Sequence, residues 1–405
     1  MQDTSSKRLT IMFVESGQAG GGSFGSQCLL IQGLDQDRFQ AVVVYLNETL
    51  WAKKIRKLNL PVFVLTDRRY SYAANSFFRR KLNQIERVVD QHFERLYVYF
   101  VKIAHRRTIN ALRAIIRTHQ VDIVHLNNQC NRDLFGIAAS AHEGIPCVCH
   151  LRSHRADGFG RARANFVNSN VAWVISASND TLDYWANRGI DRKRASVIYN
   201  GIDSSKSNQL SNAALKSRFR IPQSAFLFGV VGSLTARKGH KYLLHAWRIF
   251  SKKYPKAFLL IVGDGEERSE ISKTITGLEI SHSAKMVGFQ EDGRAIIGAL
   301  DAFVLSSAMD ICSRAILEAM AMKTPIIASR VGGNPELVMH EETGLLFDYG
   351  DVQGLVNVME RMIKDPGERE RFVLKSYDKV QSQFSMEDYL SKVEEIYGEV
   401  IQVRD

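Results

Sequence analysis

Residues 301–338 read DAFVLSSAMDICSRAILEAMAMKTPIIASRVGGNPELV. Two short apolar runs, DAFVLSS and TPIIAS, bracket a segment of helical length, which predicts strand, loop, helix and strand in turn. The runs are continuous rather than alternating, as expected of strands buried on both faces of a parallel sheet. The same rhythm fills the chain. LTIMFVES (9–16), FQAVVVYLNE (39–48), LPVFVLTD (60–67), VDIVHLNN (121–128), IPCVCHLRS (145–153), VAWVISAS (171–178) and ASVIYNGI (195–202) carry it through the first half. FLFGVVGSL (226–234), AFLLIVGDG (257–265), AKMVGF (284–289) and TGLLF (343–347) complete the second. Strands separated by helix-length segments predict an α/β fold with two Rossmann-like parallel sheets, each covered by helices.

At 405 residues the chain exceeds one ordinary hydrophobic core. The polar, Ser- and Asn-rich stretch 200–223 has no strand-like run and marks the boundary. The expected division is a first domain at 1–203, a linker at 204–222, a second domain at 223–383 and a terminal helix at 384–405. That helix has Leu390, Val393, Ile396 and Val400 at helical spacing and should pack back on the first domain. Two such domains would face one another across a cleft, with ligands held in the loops after the strands.

Hydrophobic content of 45 % and charged content of 24 % suit a water-soluble fold, and no apolar run reaches the roughly 18 residues of a membrane span. The opening MQDTSSKRLTIMFV has too short an apolar run for a signal-peptide core, so a mature cytoplasmic start is expected. Cys28, Cys130, Cys147, Cys149 and Cys312 show no zinc or redox spacing and read as reduced thiols. The net charge of +11 is uneven: residues 1–200 hold 28 Lys and Arg against 16 Asp and Glu, the remainder 26 against 27. Within the first half, Arg68–Arg117 has 12 basic and 3 acidic residues interleaved with eight Phe and Tyr. Such a surface, with Arg68, Arg69, Arg79, Arg80 and Arg152, would suit an anionic acceptor or the cytoplasmic face of a membrane, or simply be solvated.

Three places carry chemistry. The loop ESGQAGGGSFG (15–25) exposes backbone amides before a helix, and Gly20, Gly22 and Gly25 spell G-x-G-x-x-G. Glu48, after the second strand, would be the acidic ribose ligand of an NAD(P) site, but ESGQA intervenes where the first glycine should follow the strand directly. In GSLTARKGHK (232–241), Arg237 and Lys238 stand before a helix, suiting a diphosphate. Asp310 lies in a loop and Glu318 in the next helix, where carboxylates can accept hydrogen bonds from vicinal sugar hydroxyls.

The glycine loop, GIPCVCH, VIYNGID, VVGSLTARKG, LLIVGDGEE, the Asp310-to-Glu318 run with EAMAMKTPIIAS, and GGNPE before TGLLF together resemble family 4 of the retaining, GT-B-fold glycosyltransferases. The order and spacing match over nearly the whole chain. The resemblance implies a second domain that binds a UDP-, GDP- or ADP-sugar with no other cofactor and no metal. Glu318 would then hold the ribose, Asp310 the donor sugar and Lys238 the diphosphate. The backbone of Ile311, Cys312 and Ser313 would face sugar or phosphate, Gly263 and Glu336 would lie near the nucleotide, Gly20, Gly21 and Gly22 would approach the diphosphate, and His150 would meet the donor sugar. The pattern departs at Asp310, where Glu is usual, and at Ser233, where Arg is usual; Arg237 is the replacement cation nearest in sequence.

The expectation is a retaining, metal-independent hexosyl transfer to a lipid-linked or saccharide acceptor of the cell envelope, by a cytoplasmic enzyme peripheral to the membrane. The alternatives are an NAD(P)-dependent oxidoreductase and a catalytically silent partner protein. A nucleic-acid module would explain the charge, but no recognisable motif supports it, and no nucleic acid is expected as partner.

Overall fold

A computed structural model describes residues 8–17, 22–65, 105–131, 133–156, 159–204 and 210–403, with Leu96, Tyr99, Lys102 and Ile103. Gly20, Gly21, Arg68, Arg69, Arg79 and Arg80 lie outside the described residues. The chain divides into two compact units. Residues 1–199 with 389–405 form one, and residues 200–388 the other.

The first unit is built on seven strands: β1 (Leu9–Glu15), β2 (Phe39–Tyr45), β3 (Val62–Val64), β4 (Ile123–Leu126), β5 (Cys147–Leu151), β6 (Trp173–Ser176) and β7 (Ala195–Val197). All pair in parallel, in the order β3-β2-β1-β4-β5-β6-β7. Ile11 to Val14 are fully buried, which explains why β1 shows no polar alternation. Helix α1 (Gly22–Gly33) follows β1.

The second unit has six parallel strands in the order β10-β9-β8-β11-β12-β13. They are β8 (Phe226–Val231), β9 (Ala257–Val262), β10 (Ala284–Met286), β11 (Ala302–Leu305), β12 (Ile326–Ser329) and β13 (Leu345–Phe347). Helix α2 (His240–Lys253) buries Leu243, Leu244, Trp247 and Phe250, the i, i+4, i+7 stripe of a helix against a core. Helices α3 (Gly293–Gly298) and α4 (Arg314–Ala321) precede and follow β11.

The stretch read as a linker carries secondary structure at its C-terminal end. Residues Asn212–Arg218 form a helix capped by Ser211, with Asn212 donating to the Ala299 carbonyl at 2.8 Å and Arg218 paired with Asp292 at 2.6 Å. Three polar side chains with fixed partners give it order that composition alone does not reveal. Helix α5 (Met386–Gln402) ends the described chain, and from Tyr389 onward it belongs to the first unit. Its buried face, Tyr389, Val393, Ile396, Tyr397 and Val400, carries roughly 1.5–3 kcal/mol per large apolar side chain.

Candidate active site

Each sheet reverses its strand order once, between β1 and β4 in the first unit and between β8 and β11 in the second. Loops leaving the carboxyl ends of the strands at such a reversal run to opposite faces and leave room for a ligand.

In the second unit these loops are 232–239 after β8 and 306–313 after β11. They are stitched together: Ala308 N–H donates to the Arg237 carbonyl at 2.7 Å and Ser306 Oγ donates to the Lys238 carbonyl at 3.1 Å. The approach requires glycine at two places. Gly239 has φ +65° and a Cβ there would overlap the Ser306 carbonyl oxygen; Gly332, φ +52°, stands in the same way against the Asp310 carbonyl oxygen. Gly333 N–H donates to that oxygen at 2.9 Å, so the GGNPE loop is tied to the Asp310 loop.

This close packing sets the charges. Lys238 Nζ donates to Asp310 Oδ2 at 2.7 Å, and Arg237 Nη1 lies 3.3 Å from Oδ1 while donating to the Met309 carbonyl at 2.6 Å. Burial opposes ionisation of Asp310, but the Lys238 and Arg237 charges outweigh it and hold the carboxyl below its ordinary value. Two cations share one carboxylate at the point where α2 and α4 begin, and helix amino ends add further positive potential. Buried polar atoms without partners cluster on the same loops. His240, 4 % exposed, has no hydrogen-bond partner on either ring nitrogen among the described residues, and Thr235 Oγ1 and Asn334 Oδ1 are in the same state. Burial and then the Lys238 charge lower the His240 pKa to about 4, so the ring is neutral.

Glu318 lies in the second turn of α4, with Oε1 3.3 Å from Arg314 Nη2. Burial raises its pKa against the opposing charges of Arg314 and Arg294. The Cys312 carbonyl accepts from Asn200 Nδ2 at 3.0 Å, Ser313 Oγ caps α4 by accepting from Ile316 N–H, and Ile311 is half-buried. Ser233 is exposed, and Arg237 reaches Asp310 beside Lys238. Gly263, φ +145°, donates its N–H to the Gly288 carbonyl, and Glu336 sits in the short helix Asn334–Leu337 with its carbonyl accepting from Lys379 Nζ at 2.8 Å.

The first unit's reversal is different in kind. Glu15 ends β1 fully buried and accepts from Asn127 Nδ2 at 2.5 Å and from Gly17 N–H at 2.7 Å. Burial raises its pKa despite those bonds. Gly22 opens α1, and its carbonyl accepts from Ser26 Oγ at 3.1 Å. His150 on β5 is fully buried, its Nδ1 3.1 Å from Arg152 Nη2 and its ring centroid 5.6 Å from that of His125. Burial, followed by the Arg152 charge, holds His150 well below the usual histidine range and His125 at about 3.

Arg152, expected at an acceptor or membrane surface, is half-buried and donates to Tyr389 OH on α5 at 3.0 Å. Sequence reasoning missed Glu15, His125, His240, Tyr389 and Tyr397. An acid closing an otherwise apolar β-branched run is the available signal for Glu15, and tyrosines eight positions apart on one helical face the signal for Tyr389 and Tyr397. Glu48, the acid a dinucleotide site would use, is held by Arg56 at 2.7 Å. Among the described residues no group of three or more His, Cys, Asp or Glu is placed to hold a metal ion, and no helix is long and apolar enough to cross a membrane.

Residues 211–379 match the family described as Glycosyl transferases group 1, and residues 49–206 match Glycosyltransferase Family 4. Among curated relatives, the lipopolysaccharide core biosynthesis glycosyltransferase LpsE of Rhizobium meliloti is 31 % identical over 172 residues, 42 % of this chain and 49 % of that protein. The UDP-Gal:alpha-D-GlcNAc-diphosphoundecaprenol alpha-1,3-galactosyltransferase of Escherichia coli is 26 % identical over 276 residues, 64 % of this chain and 70 % of that protein. The match to LpsE thus spans about half of that protein's length. A crystal structure of HepE from Anabaena in complex with UDP superposes with a TM-score of 0.76 over 96 % of this chain and 100 % of that one, at 22 % identity. A sucrose-phosphate synthase from Thermosynechococcus elongatus gives a TM-score of 0.74 over 98 % of this chain and 100 % of that one, at 16 % identity. Two parallel-sheet units on this topology, with both family matches in chain order, mean that the chain belongs to the GT-B glycosyltransferases of the family 4 type.

Proposed function

We propose that the protein transfers a hexosyl group from a nucleoside-diphosphate sugar to a hydroxyl of a lipid-linked or saccharide acceptor in envelope polysaccharide or lipopolysaccharide synthesis. The observation that carries this reading is the convergence of Lys238 and Arg237 on Asp310 at the strand-order reversal of the second unit. A departing diphosphate develops negative charge, and fixed cations beside helix amino ends stabilise it without reorganisation. The relatives from Rhizobium meliloti and Escherichia coli, and the UDP complex of the Anabaena protein, support the acceptor class and a uridine nucleotide.

In this reading the diphosphate binds Lys238 and Arg237 with no metal and no further cofactor, Glu318 accepts from the ribose hydroxyls and Asp310 from a hydroxyl of the sugar. Configuration at the anomeric carbon is retained: a diphosphate oxygen takes the acceptor's proton on the face from which it leaves. His150 orients the sugar. The enzyme works at the inner face of the membrane, where the basic half of the chain meets anionic lipid.

A thermal-shift panel of UDP, GDP, ADP, CMP and dTDP, with NADH and NADPH, tests the donor class. Stabilisation by one nucleoside diphosphate is expected, and a response to a dinucleotide alone overturns the reading. With the matching sugar nucleotide, NMR of the first-formed product then reads the anomer; inversion excludes the retaining course. Sedimentation with anionic vesicles at low and high salt tests the membrane contact, which is excluded if binding is absent at both.

A further inference from the structure

His150 is under a chemical constraint. Its Nδ1 lies 3.1 Å from Arg152 Nη2. A guanidinium offers only donors and does not lose its proton in a protein, so Arg152 donates and His150 Nδ1 accepts. The ring is neutral, because burial first, then Arg152 and His125, depress its pKa far below the usual value. A neutral imidazole whose Nδ1 accepts carries its proton on Nε2. That Nε2 is buried and has no hydrogen-bond partner among the described residues. His150 therefore presents an N–H donor that lacks an acceptor, on the strand next to the sheet's reversal.

Arg152 is in turn anchored from the end of the chain. The same Nη2 donates to Tyr389 OH at 3.0 Å, across 237 positions of sequence. Tyr389 is 2 % exposed, and Tyr397, two turns further along α5, places its OH 2.7 Å from His125 Nδ1. The groups beside His150 are thus Arg152, beyond its own strand, and His125 on β4; Arg152 is held by Tyr389 and His125 by Tyr397, both on α5, and the buried Glu15 that ends β1 acts on Arg152 electrostatically.

We propose that Tyr389 and Arg152 are positioning residues that hold His150 as a neutral Nε2–H donor for a hydroxyl oxygen of the sugar being transferred. The proposal rests on the sugar-transfer reading above and sharpens it. With the proton on Nε2, that nitrogen has no lone pair to offer. His150 then neither takes the acceptor's proton nor attacks the anomeric carbon; it fixes one oxygen.

The test uses the full chain labelled with 15N-histidine, the His150 signals being those that His150→Gln removes. The expected wild-type pattern is Nε2–H, unchanged between about pH 5 and 8, the window in which an unperturbed histidine titrates. Arg152→Met should mix the two tautomers and lower kcat by about tenfold or more, the scale on which loss of an orienting partner acts on the group it holds. Nucleoside-diphosphate affinity should stay within a factor of about two, since a tenfold change corresponds to 1.4 kcal/mol and no second-unit contact is removed. Arg152→Lys should restore part of the rate, and Tyr389→Phe, which keeps the ring in the core, should shift tautomer and kcat in the same direction by less. A wild-type Nδ1–H pattern overturns the proposal, as does a fall in kcat with the tautomer unchanged, or wild-type kcat in both variants. If the chain transfers no sugar yet Arg152→Met still scrambles the tautomer, the relay stands and the transfer reading fails.

Discussion

The two strand-order reversals occupy equivalent positions in their sheets but are opposites electrically. In the second unit Arg237, Lys238, Asp310, Arg314 and Glu318 crowd the loops after β8 and β11 and the start of α4. In the first, two neutral histidines and a glutamate whose ionisation burial disfavours take those places, and the nearby cation, Arg152, is committed to His150 and Tyr389. Whole-chain charge points the other way, since the excess of Lys and Arg lies entirely in the first 200 residues. Net charge thus reports where the basic excess lies, whereas the proposed anion site depends on two or three residues brought within 4 Å. In the proposed reading the second unit binds by charge, the first by oriented neutral donors and acceptors.

Removing Lys238 should break this contrast most severely. Lys238→Met takes away a charged donor, and hydrogen bonds to charged groups contribute about 1.5–3 kcal/mol, so nucleoside-diphosphate affinity should fall roughly 10- to 100-fold by calorimetry. Asp310 would remain buried with Arg237 as its one ion-pair partner among the described residues, and breaking a buried pair costs about 3–5 kcal/mol at its worst, so the second unit should also melt earlier. Asp310→Asn should act with the opposite sign on binding. It frees both cations, so affinity for the diphosphate should rise a few-fold while transfer falls. Weaker binding in Asp310→Asn would show that the carboxylate helps hold the nucleotide rather than competing with it.

Acid should separate the units next. A histidine whose folded pKa lies below its unfolded value of about 6.5 contributes stability that is present above that pH and lost as pH falls toward the folded value. His125, held at about 3, and His150, held lower than usual, both belong to the first unit, whereas His240, at about 4, is the comparably buried one in the second. Each unit of pKa separation is worth about 1.4 kcal/mol. Amide exchange in β4 and β5 should therefore accelerate at a higher pH than in β8 and β9 as pH is lowered from 6.5 to about 4. Simultaneous loss of protection in both sheets would contradict the contrast.

A smaller effect is expected from the glycine that supports the charged loop. Gly332→Ala places a Cβ against the Asp310 carbonyl oxygen at φ +52°. Left-handed backbone costs a non-glycine residue roughly 1–2 kcal/mol, and the overlap adds to it. Melting of the second unit should drop by about 2–4 °C per kcal/mol for a unit of this size. Diphosphate affinity should fall with it, because Gly333 anchors the same carbonyl.

How much of this was legible in the sequence follows from the range of the interactions. Parallel strands buried on both faces must be apolar throughout, so LTIMFVES and FLFGVVGSL announced the sheets by themselves. Asp310 and Glu318 could be paired because a loop and the helix that follows it are local in sequence. The Asn212–Arg218 helix escaped because its order rests on partners such as Ala299 and Asp292, about 75 to 90 positions away. The Arg152 contact was illegible for the same reason. A sequence shows a cation after a strand, but not that a tyrosine 237 positions later accepts a hydrogen bond from it.

Ser233 offers the mildest test, and the most specific one for the charge comparison. The family arrangement has an arginine just after the strand glycine, whereas here Ser233 is exposed and Arg237 reaches Asp310 from four residues further on. If one cation besides Lys238 is enough, Ser233→Arg adds only an exposed charge near a helix amino end. Exposed charges of this kind contribute about 0.3–1 kcal/mol at low salt, so affinity for the diphosphate should rise less than about fivefold and the gain should vanish at high ionic strength. In the Arg237→Met background the same substitution should matter more, because the new guanidinium then replaces a lost charge rather than adding to a sufficient one. Equal gains in the two backgrounds would show that residues 233 and 237 act at separate places, and that Arg237 serves the Met309 carbonyl and the loop's shape rather than the anion.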